Sequence, residues 1–203
     1  MKGRFIVIEG IDGAGGETQS KLLIKHLAEK GKEVEFFSYP NPNSPVGKLI
    51  YEFLNKKFEL DPSVQFLLYT SDFLLDKKKI LSAIENNKIV VSDRYFTSTL
   101  AYQCTKGYPL EKGLELARLL ELPVPSLVIF LDISAETSMK RKLKEKKTLD
   151  RHEEDKIYLE NVRGTFKRLI KDKIFAKDWV IVNAERSIEE VFADVKRVVE
   201  EHL

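Results

Sequence analysis

The chain has 203 residues, enough for one domain with a sizeable core. Its hydrophobic content of 43%, charged content of 33% and net charge of +2 describe a globular protein with no global pull toward nucleic acid or a membrane surface. Cys104 is the single cysteine, which rules out an internal disulfide and fits a reducing, cytoplasmic setting. Met1-Lys2-Gly3-Arg4 leads into a short apolar run that Glu9 interrupts, so no secretory h-region is expected, and no stretch is long enough to span a bilayer.

In chain order, strands and helices alternate. A strand is expected over about Arg4–Glu9, then a turn carrying Gly10, Gly13, Gly15 and Gly16, then a helix over about Gly15–Lys30 that Gly31 closes. Val34–Phe37 reads as a second strand, and the prolines between Tyr39 and Pro45 mark a loop. Ser44-Pro45 and Asp61-Pro62 are N-cap and N1 pairs for helices reaching about Lys56 and Asn87. In the second of these, Val64, Leu67, Leu68, Leu75 and Ile80 recur at helical spacing. A third strand, Lys88–Ser92, runs into Asp93-Arg94-Tyr95, and helices over about Phe96–Cys104 and Pro109–Glu121 precede a fourth strand, Leu127–Asp132. Ser134 caps a helix entering the basic stretch Lys140–Lys147, and the next helix carries Tyr158, Val162, Phe166 and Ile170. Trp179–Asn183 is a fifth strand, and Ser187 with Glu190 forms a capping box for the last helix. The alternation predicts an α/β fold, a parallel sheet with helices on both faces, in one domain.

Ligands of open parallel sheets sit beyond the carboxyl ends of the strands. Strand, glycine turn and helix from Phe5 to Lys21 form the context of a phosphate-binding P-loop, in which backbone N–H groups and a helix N-terminus face an anion. Gly10 and Gly15 fit the pattern G-x-x-x-x-G-K-[ST], but Gly16 stands in the lysine position and Glu17 in the Ser/Thr position. That change swings the local charge by two units; each is worth about 1 kcal/mol at 4 Å in water and about 4 at an effective dielectric near 20. The alternative is a glycine turn kept for tight packing. Asp93 and Arg94 offer a carboxylate for a Mg²⁺-bound water and a planar fork for phosphate, or else an ion pair capping the next helix. Lys140–Lys147 with Arg151 is either a solvated helix face or a mobile flap whose cations close on phosphates. His26 and His202 have no metal-ligand spacing, and Cys104 is expected to pack.

Four segments together resemble the thymidylate kinase family of P-loop nucleoside monophosphate kinases: FIVIEGIDGAG at Phe5–Gly15, Tyr39-Pro40 with Gly47-Lys48-Leu49, SDRYFTSTLAYQ at Ser92–Gln103, and LDRHE at Leu149–Glu153. The resemblance implies a P-loop NTPase-like fold with a five-stranded parallel sheet, a LID at about 141–152 and a homodimer. It implies Mg²⁺-dependent transfer of the ATP γ-phosphoryl group to dTMP. ATP would bind along Gly10, Ile11, Asp12, Gly13, Ala14, Gly15, Gly16, Glu17 and Thr18. Asp12 would contact the sugar 3′-hydroxyl of the acceptor, Asp93 the metal and Arg94 the acceptor phosphate, with Tyr39, Tyr69 and Tyr102 around the acceptor. Gly13 stands where one branch of the family carries a catalytic arginine, so the resemblance assigns that cation to the LID, to Arg141, the lysines after it and Arg151. Besides Gly16 and Glu17, Pro42 and Phe73 replace family arginines of the acceptor-phosphate and base sites; Glu17 would then offer the metal a direct carboxylate. Three readings follow: a dTMP kinase, a non-catalytic nucleotide-binding homologue, and a kinase for another deoxynucleoside monophosphate.

Overall fold

The computed structural model describes residues 3–145 and 148–203. Its five strands are β1 (Arg4–Gly10), β2 (Val34–Ser38), β3 (Ile89–Asp93), β4 (Leu127–Asp132) and β5 (Trp179–Asn183). They form one sheet in the order β2-β3-β1-β4-β5, with every pairing parallel. Central β1 is buried from Phe5 to Gly10, which is why it reads as a continuous apolar run. Among the described residues, eight helices connect or flank the strands: α1 (Gly16–Glu29), α2 (Pro45–Leu54), α3 (Pro62–Glu85), α4 (Phe96–Thr105), α5 (Leu110–Leu119), α6 (Ala135–Glu145), α7 (Lys156–Lys171) and α8 (Ile188–His202). No helix among the described residues is long and apolar enough to cross a membrane.

Register decides what meets at the ligand edge. Ile8 of β1 pairs with Asp93 of β3 and with Ile129 of β4, and Ser38 of β2 also pairs with Asp93. The ends of β1, β2 and β3 therefore emerge together. β3 and β4 flank β1 on opposite sides, so the crevice opens at a topological switch point, where open α/β sheets bind ligands.

The capping residues act as the sequence predicts. Ser44 Oγ accepts from Gly47 N–H at 2.7 Å, Asp61 Oδ1 accepts from Ser63 N–H at 2.8 Å, and Ser187 with Glu190 closes a full capping box. Each cap of this kind is worth about 1 kcal/mol. The inward face of α3 differs from its apolar pattern. Val64, Leu67 and Leu75 are exposed, while Gln65, Phe66, Thr70, Asp72, Phe73, Asp76, Ile80 and Ala83 are buried. The buried polar groups have partners: Asp72 accepts from Ser44 Oγ at 2.6 Å and from Asn41 N–H at 2.8 Å, and Asp76 accepts from Tyr39 OH at 3.3 Å. α3 thus anchors the Tyr39–Ser44 loop through side chains that periodicity alone assigns to solvent. The basic segment is helical through Glu145; Lys146 and Lys147 lie outside the described residues.

Candidate active site

β1 delivers Gly10 to the crevice, and the turn after it wraps back to open α1. Gly15 at φ 95° and Gly13 at φ 76° hold left-handed conformations that glycine adopts without steric cost. Gly13 is also a close approach, because a Cβ there would lie 2.9 Å from the Ser138 carbonyl oxygen. α6 is seated on the turn at two points: Ser138 Oγ donates to Asp12 O at 2.6 Å, and the Arg141 guanidinium donates to Gly13 O at 3.2 Å. The space beside Gly16 belongs to Asp93, whose Oδ1 lies 2.5 Å from where a Cβ would stand. Glu17 turns outward. Its side chain is 69% exposed and pairs with Lys21 at 2.5 Å.

At the end of β3, Arg94 takes φ 63°, a left-handed conformation that costs a side-chain-bearing residue about 1–3 kcal/mol and is characteristic of functional turns. Ser92 Oγ donates to Arg94 O at 2.6 Å and Arg94 N–H donates to Ile8 O at 2.9 Å, which holds the turn. The guanidinium therefore points back across the P-loop. It donates to Gly10 O at 3.0 Å, Ser98 Oγ at 3.2 Å and Asp12 Oδ1 at 2.7 Å. Tyr102 OH donates to the other Asp12 oxygen at 3.0 Å. Burial alone would raise the Asp12 carboxyl; Arg94, with His152, Tyr102 and Lys142, outweighs it and holds Asp12 below the ordinary carboxylate range.

Glu9 organises the layer beneath. Its carboxylate accepts from Tyr95 N–H at 3.0 Å, Ser98 N–H at 3.0 Å, Thr97 Oγ1 at 2.6 Å and Ser98 Oγ at 2.5 Å. A carboxylate receiving the free N–H groups at the N-terminus of α4 is where the helix dipole favours it. Burial nevertheless pushes Glu9 up to about 7, against the opposing pull of Arg94 and these hydrogen bonds. Glu9 thereby sets the position of α4.

Two adjoining cavities result. The first is lined by Asp12, Tyr39, Pro40, Leu54, Tyr69, Phe73, Arg94, Ser98, Thr99, Tyr102, Gln103, Asp150 and His152. The structure thus brings all six residues expected around an acceptor (Asp12, Tyr39, Tyr69, Phe73, Arg94 and Tyr102) to one space. Phe73 is buried edge-on against Tyr39, with ring centroids 4.8 Å apart, so an apolar aromatic wall stands where the resemblance implies an arginine. Thr99 Oγ1, Gln103 Oε1 and His152 Nε2 are buried without a partner among the described residues. Burial, then the charge of Lys106, pulls His152 down to about 3, so its ring is neutral at physiological pH.

The second cavity runs along the P-loop from Gly10 through Thr18 and reaches Asp93, Arg94, Lys142, Glu145, Asp150 and Glu153. It gathers every residue expected at ATP, and both expected metal ligands. Asp12, Tyr39, Pro40, Leu54, Arg94 and Asp150 line both cavities, so Asp12 and Arg94 stand at their junction.

Arg141 and Arg151 line neither. Arg141 spends its donors on Gly13 O and on Ala184 O at 2.8 Å, which ties α6 to the P-loop and to the connection after β5. Arg151 donates to Phe53 O and Phe58 O, pairs with Glu59 and lies 4.1 Å over the Phe53 ring. Glu9, Ser98, Thr99 and Gln103 join the site without having been given a role from the sequence, and of the expected LID cations Lys142 is the one that lines the donor cavity. The one available signal was a charged Glu9 closing a continuous apolar strand.

Among the described residues no group of three or more His, Cys, Asp or Glu side chains could hold a metal ion by itself. Mg²⁺ at a nucleotide site needs less: one or two carboxylates, waters and phosphate oxygens. Asp93, a carboxylate set against the P-loop turn, fits that description, whereas Glu17 faces Lys21. Burial pushes Asp93 up to about 6; Arg94 opposes this, and Glu17 and Asp12 reinforce it.

A parallel sheet of this order, with a glycine turn feeding a helix at the switch point, defines a P-loop NTPase-like α/β protein. The family model described as thymidylate kinase matches residues 8–195. The chain is 36% identical over 209 residues to a probable thymidylate kinase of Pyrococcus abyssi, covering 100% of this chain and 98% of that one. It is 34% identical over 211 residues to a thymidylate kinase of a Thermoanaerobacter species, with 100% of both chains covered. The solved thymidylate kinase of Candida albicans superimposes with a TM-score of 0.80 at 24% identity, over 100% of this chain and 94% of that chain. The chain belongs to the thymidylate kinase family.

Proposed function

We propose that this protein is a dTMP kinase, transferring the γ-phosphoryl group of ATP to dTMP to give dTDP. The observation that carries this reading is the pair of cavities meeting at Asp12 and Arg94. Phosphoryl transfer asks a protein for positioning and charge stabilisation more than for covalent chemistry. The backbone N–H groups of the turn and the N-terminus of α1 receive donor phosphate oxygens. Arg94 is placed to hold the acceptor phosphate and the transferring group, and Asp12, kept ionised, accepts from the acceptor's 3′-hydroxyl. Asp93 would hold Mg²⁺, which supplies charge neutralisation of the donor phosphates. Tyr69, Phe73 and Tyr102 offer the base a largely aromatic enclosure, and the unpartnered groups of Thr99 and Gln103 offer it hydrogen bonds.

Phe73 favours a second reading, a kinase for another deoxynucleoside monophosphate, because among the described residues Arg94 is the one Lys or Arg that lines this cavity. The exposed face of α3 carrying Val64, Leu67 and Leu75 supports a homodimer, since three large apolar residues on one helix face are poorly suited to solvent. A coupled ATP-to-ADP assay with Mg²⁺ and dTMP, dUMP, dGMP or no acceptor tests the reading. Turnover that depends on dTMP is expected. Preference for another acceptor moves the assignment to that substrate, and nucleotide binding without turnover leaves a non-catalytic homologue. Sedimentation of the same preparation as a monomer would remove the dimer.

A further inference from the structure

We infer that the Tyr51 hydroxyl is a binding group for the acceptor's phosphate, donating to one of its oxygens beside Arg94. The inference rests on the kinase reading and adds one residue to its acceptor site. Asp12, Tyr39, Pro40, Leu54, Arg94 and Asp150 line both cavities, so a nucleoside seated in the first presents its phosphate at this junction. Tyr51 lines the second cavity, one helical turn before Leu54 on α2, and stands just across the junction. The carboxylates of Asp12 and Asp150 repel a phosphate there. Arg94, the one Lys or Arg among the described residues that line both cavities, shares its donors with Asp12, Gly10 O and Ser98. A dianion at this point needs a further donor.

The packing of α2 fixes where Tyr51 falls. Ser44, at the end of the loop that carries Tyr39 and Pro40, caps the helix by accepting from Gly47 N–H at 2.7 Å. Gly47 meets that loop backbone to backbone, since a Cβ there would lie 1.9 Å from Asn41 O. Tyr51 follows Gly47 by four residues and so shares its side of the helix. Its hydroxyl reaches Pro40 O at 3.3 Å.

That hydroxyl is placed to change partners. Tyr39 and Tyr102 commit theirs to carboxylates, Asp76 at 3.3 Å and Asp12 at 3.0 Å. Tyr51 donates to a neutral carbonyl oxygen instead, at a length past the roughly 3.0 Å upper end of O–H···O bonds. A phosphate oxygen is the better acceptor, because bonds to ionised groups are about twice as strong as neutral ones. Burial raises the Tyr51 hydroxyl above its ordinary range, opposed by Arg94 and reinforced by Asp93, Asp72 and Glu17, so it keeps its proton and donates at physiological pH. The side chain is still 39% exposed, which leaves it open to a ligand.

The test is calorimetric titration of dTMP, of thymidine and of ATP with Mg²⁺ into the wild type and the Tyr51→Phe and Tyr51→Arg variants. dTMP and thymidine differ by the phosphate alone, so the ratio of their affinities isolates contacts to that group. If the turnover assay selects another acceptor, that monophosphate and its nucleoside take their place. Tyr51→Phe is expected to weaken dTMP binding about 10-fold or more, the range for a hydrogen bond to a charged group, with thymidine and ATP at wild-type affinity. Tyr51→Arg, which sets a charged fork at the same place, should bind dTMP at least as tightly as the wild type. Unchanged dTMP affinity in Tyr51→Phe overturns the assignment, as does a Tyr51→Arg variant no better than Tyr51→Phe. A loss shared equally by dTMP and thymidine overturns it as the mark of a structural role through Pro40, and a loss confined to ATP overturns it in favour of the donor phosphates. A wild type that holds dTMP no more tightly than thymidine has no acceptor-phosphate site, and overturns the kinase reading together with this assignment.

Discussion

The two cavities share a wall but are built differently. On the acceptor side, Arg94, Asp12, Tyr102, Ser98 and Glu9 bond to one another, and each position depends on several partners. On the donor side, the loop presents backbone and the short side chains of Ala14 and Thr18. Glu17 lines its edge but is mostly exposed and paired with Lys21, and Lys142 reaches it from a separate helix. A buried network cannot lose a member without stranding another, whereas a loop that binds through backbone N–H groups tolerates changes of side chain. That contrast sets a hydrogen-bonded acceptor core, Asp12, Arg94 and Tyr102, against a donor half that binds through backbone.

The largest expected effect comes from cutting the network. Arg94→Ala leaves Asp12 without its cation and Gly10 O and Ser98 without a donor. Removing one partner of a buried pair costs about 3 kcal/mol or more, or roughly 6–12 °C in Tm for a chain of this size. Turnover with dTMP should fall below detection, while ATP binding should fall far less. A Tm within a degree of wild type would break the comparison, because the acceptor side would then be as tolerant as the donor side.

Glu9 gives an intermediate effect with a definite sign. Its folded value near 7 lies above the ordinary 4.5, so the folded state binds the proton more tightly. The associated stability is fully present below about pH 4.5 and is lost as pH rises through about 7, by up to about 3 kcal/mol. Glu9→Gln keeps the acceptor oxygen for Tyr95 and Ser98 without the charge. Relative to this variant, the wild type should lose Tm progressively between pH 5 and 7.5. A difference in Tm that stays constant over that range would show that Glu9 does not titrate there.

The smallest effect belongs to the donor side. Glu17 is exposed, so Glu17→Gln should strengthen ATP binding only about two- to threefold at low ionic strength. The gain should vanish in 0.5 M salt. A gain of 50-fold or more, or one that survives salt, would place the Glu17 carboxylate against the phosphates and make the donor side as side-chain-dependent as the acceptor side.

Much of the architecture was legible in the chain. Continuous apolar runs marked the inner strands β1, β3 and β4, because residues buried on both faces of a parallel sheet carry no alternation, while the edge strands β2 and β5 are partly exposed and were read from their apolar and β-branched content between helical patterns. Ser44, Asp61 and Ser187 announced their helix starts because capping is a local hydrogen bond, complete within a few residues. α3 was harder. The buried Asp72 and Asp76 answer partners about 30 residues away, so its inward face is defined by Tyr39, Asn41 and Ser44 and not by its own periodicity.

The same division runs through the site. The sequence by itself determined the phosphate turn and the Asp93-Arg94 pair, because these depend on glycine conformations and on residues adjacent in the chain. Only the tertiary structure decided which cations line the two cavities. Arg141, Lys142 and Arg151 read alike in a basic segment, yet Arg141 is drawn to Gly13 O and Ala184 O, Arg151 to Glu59 and the Phe53 ring, and Lys142 to the donor cavity. The physical reason is helical geometry. Successive residues on α6 point about 100° apart, so once Ser138 and Arg141 dock on the P-loop, the direction of each neighbouring charge is set by contacts that lie far away in the chain.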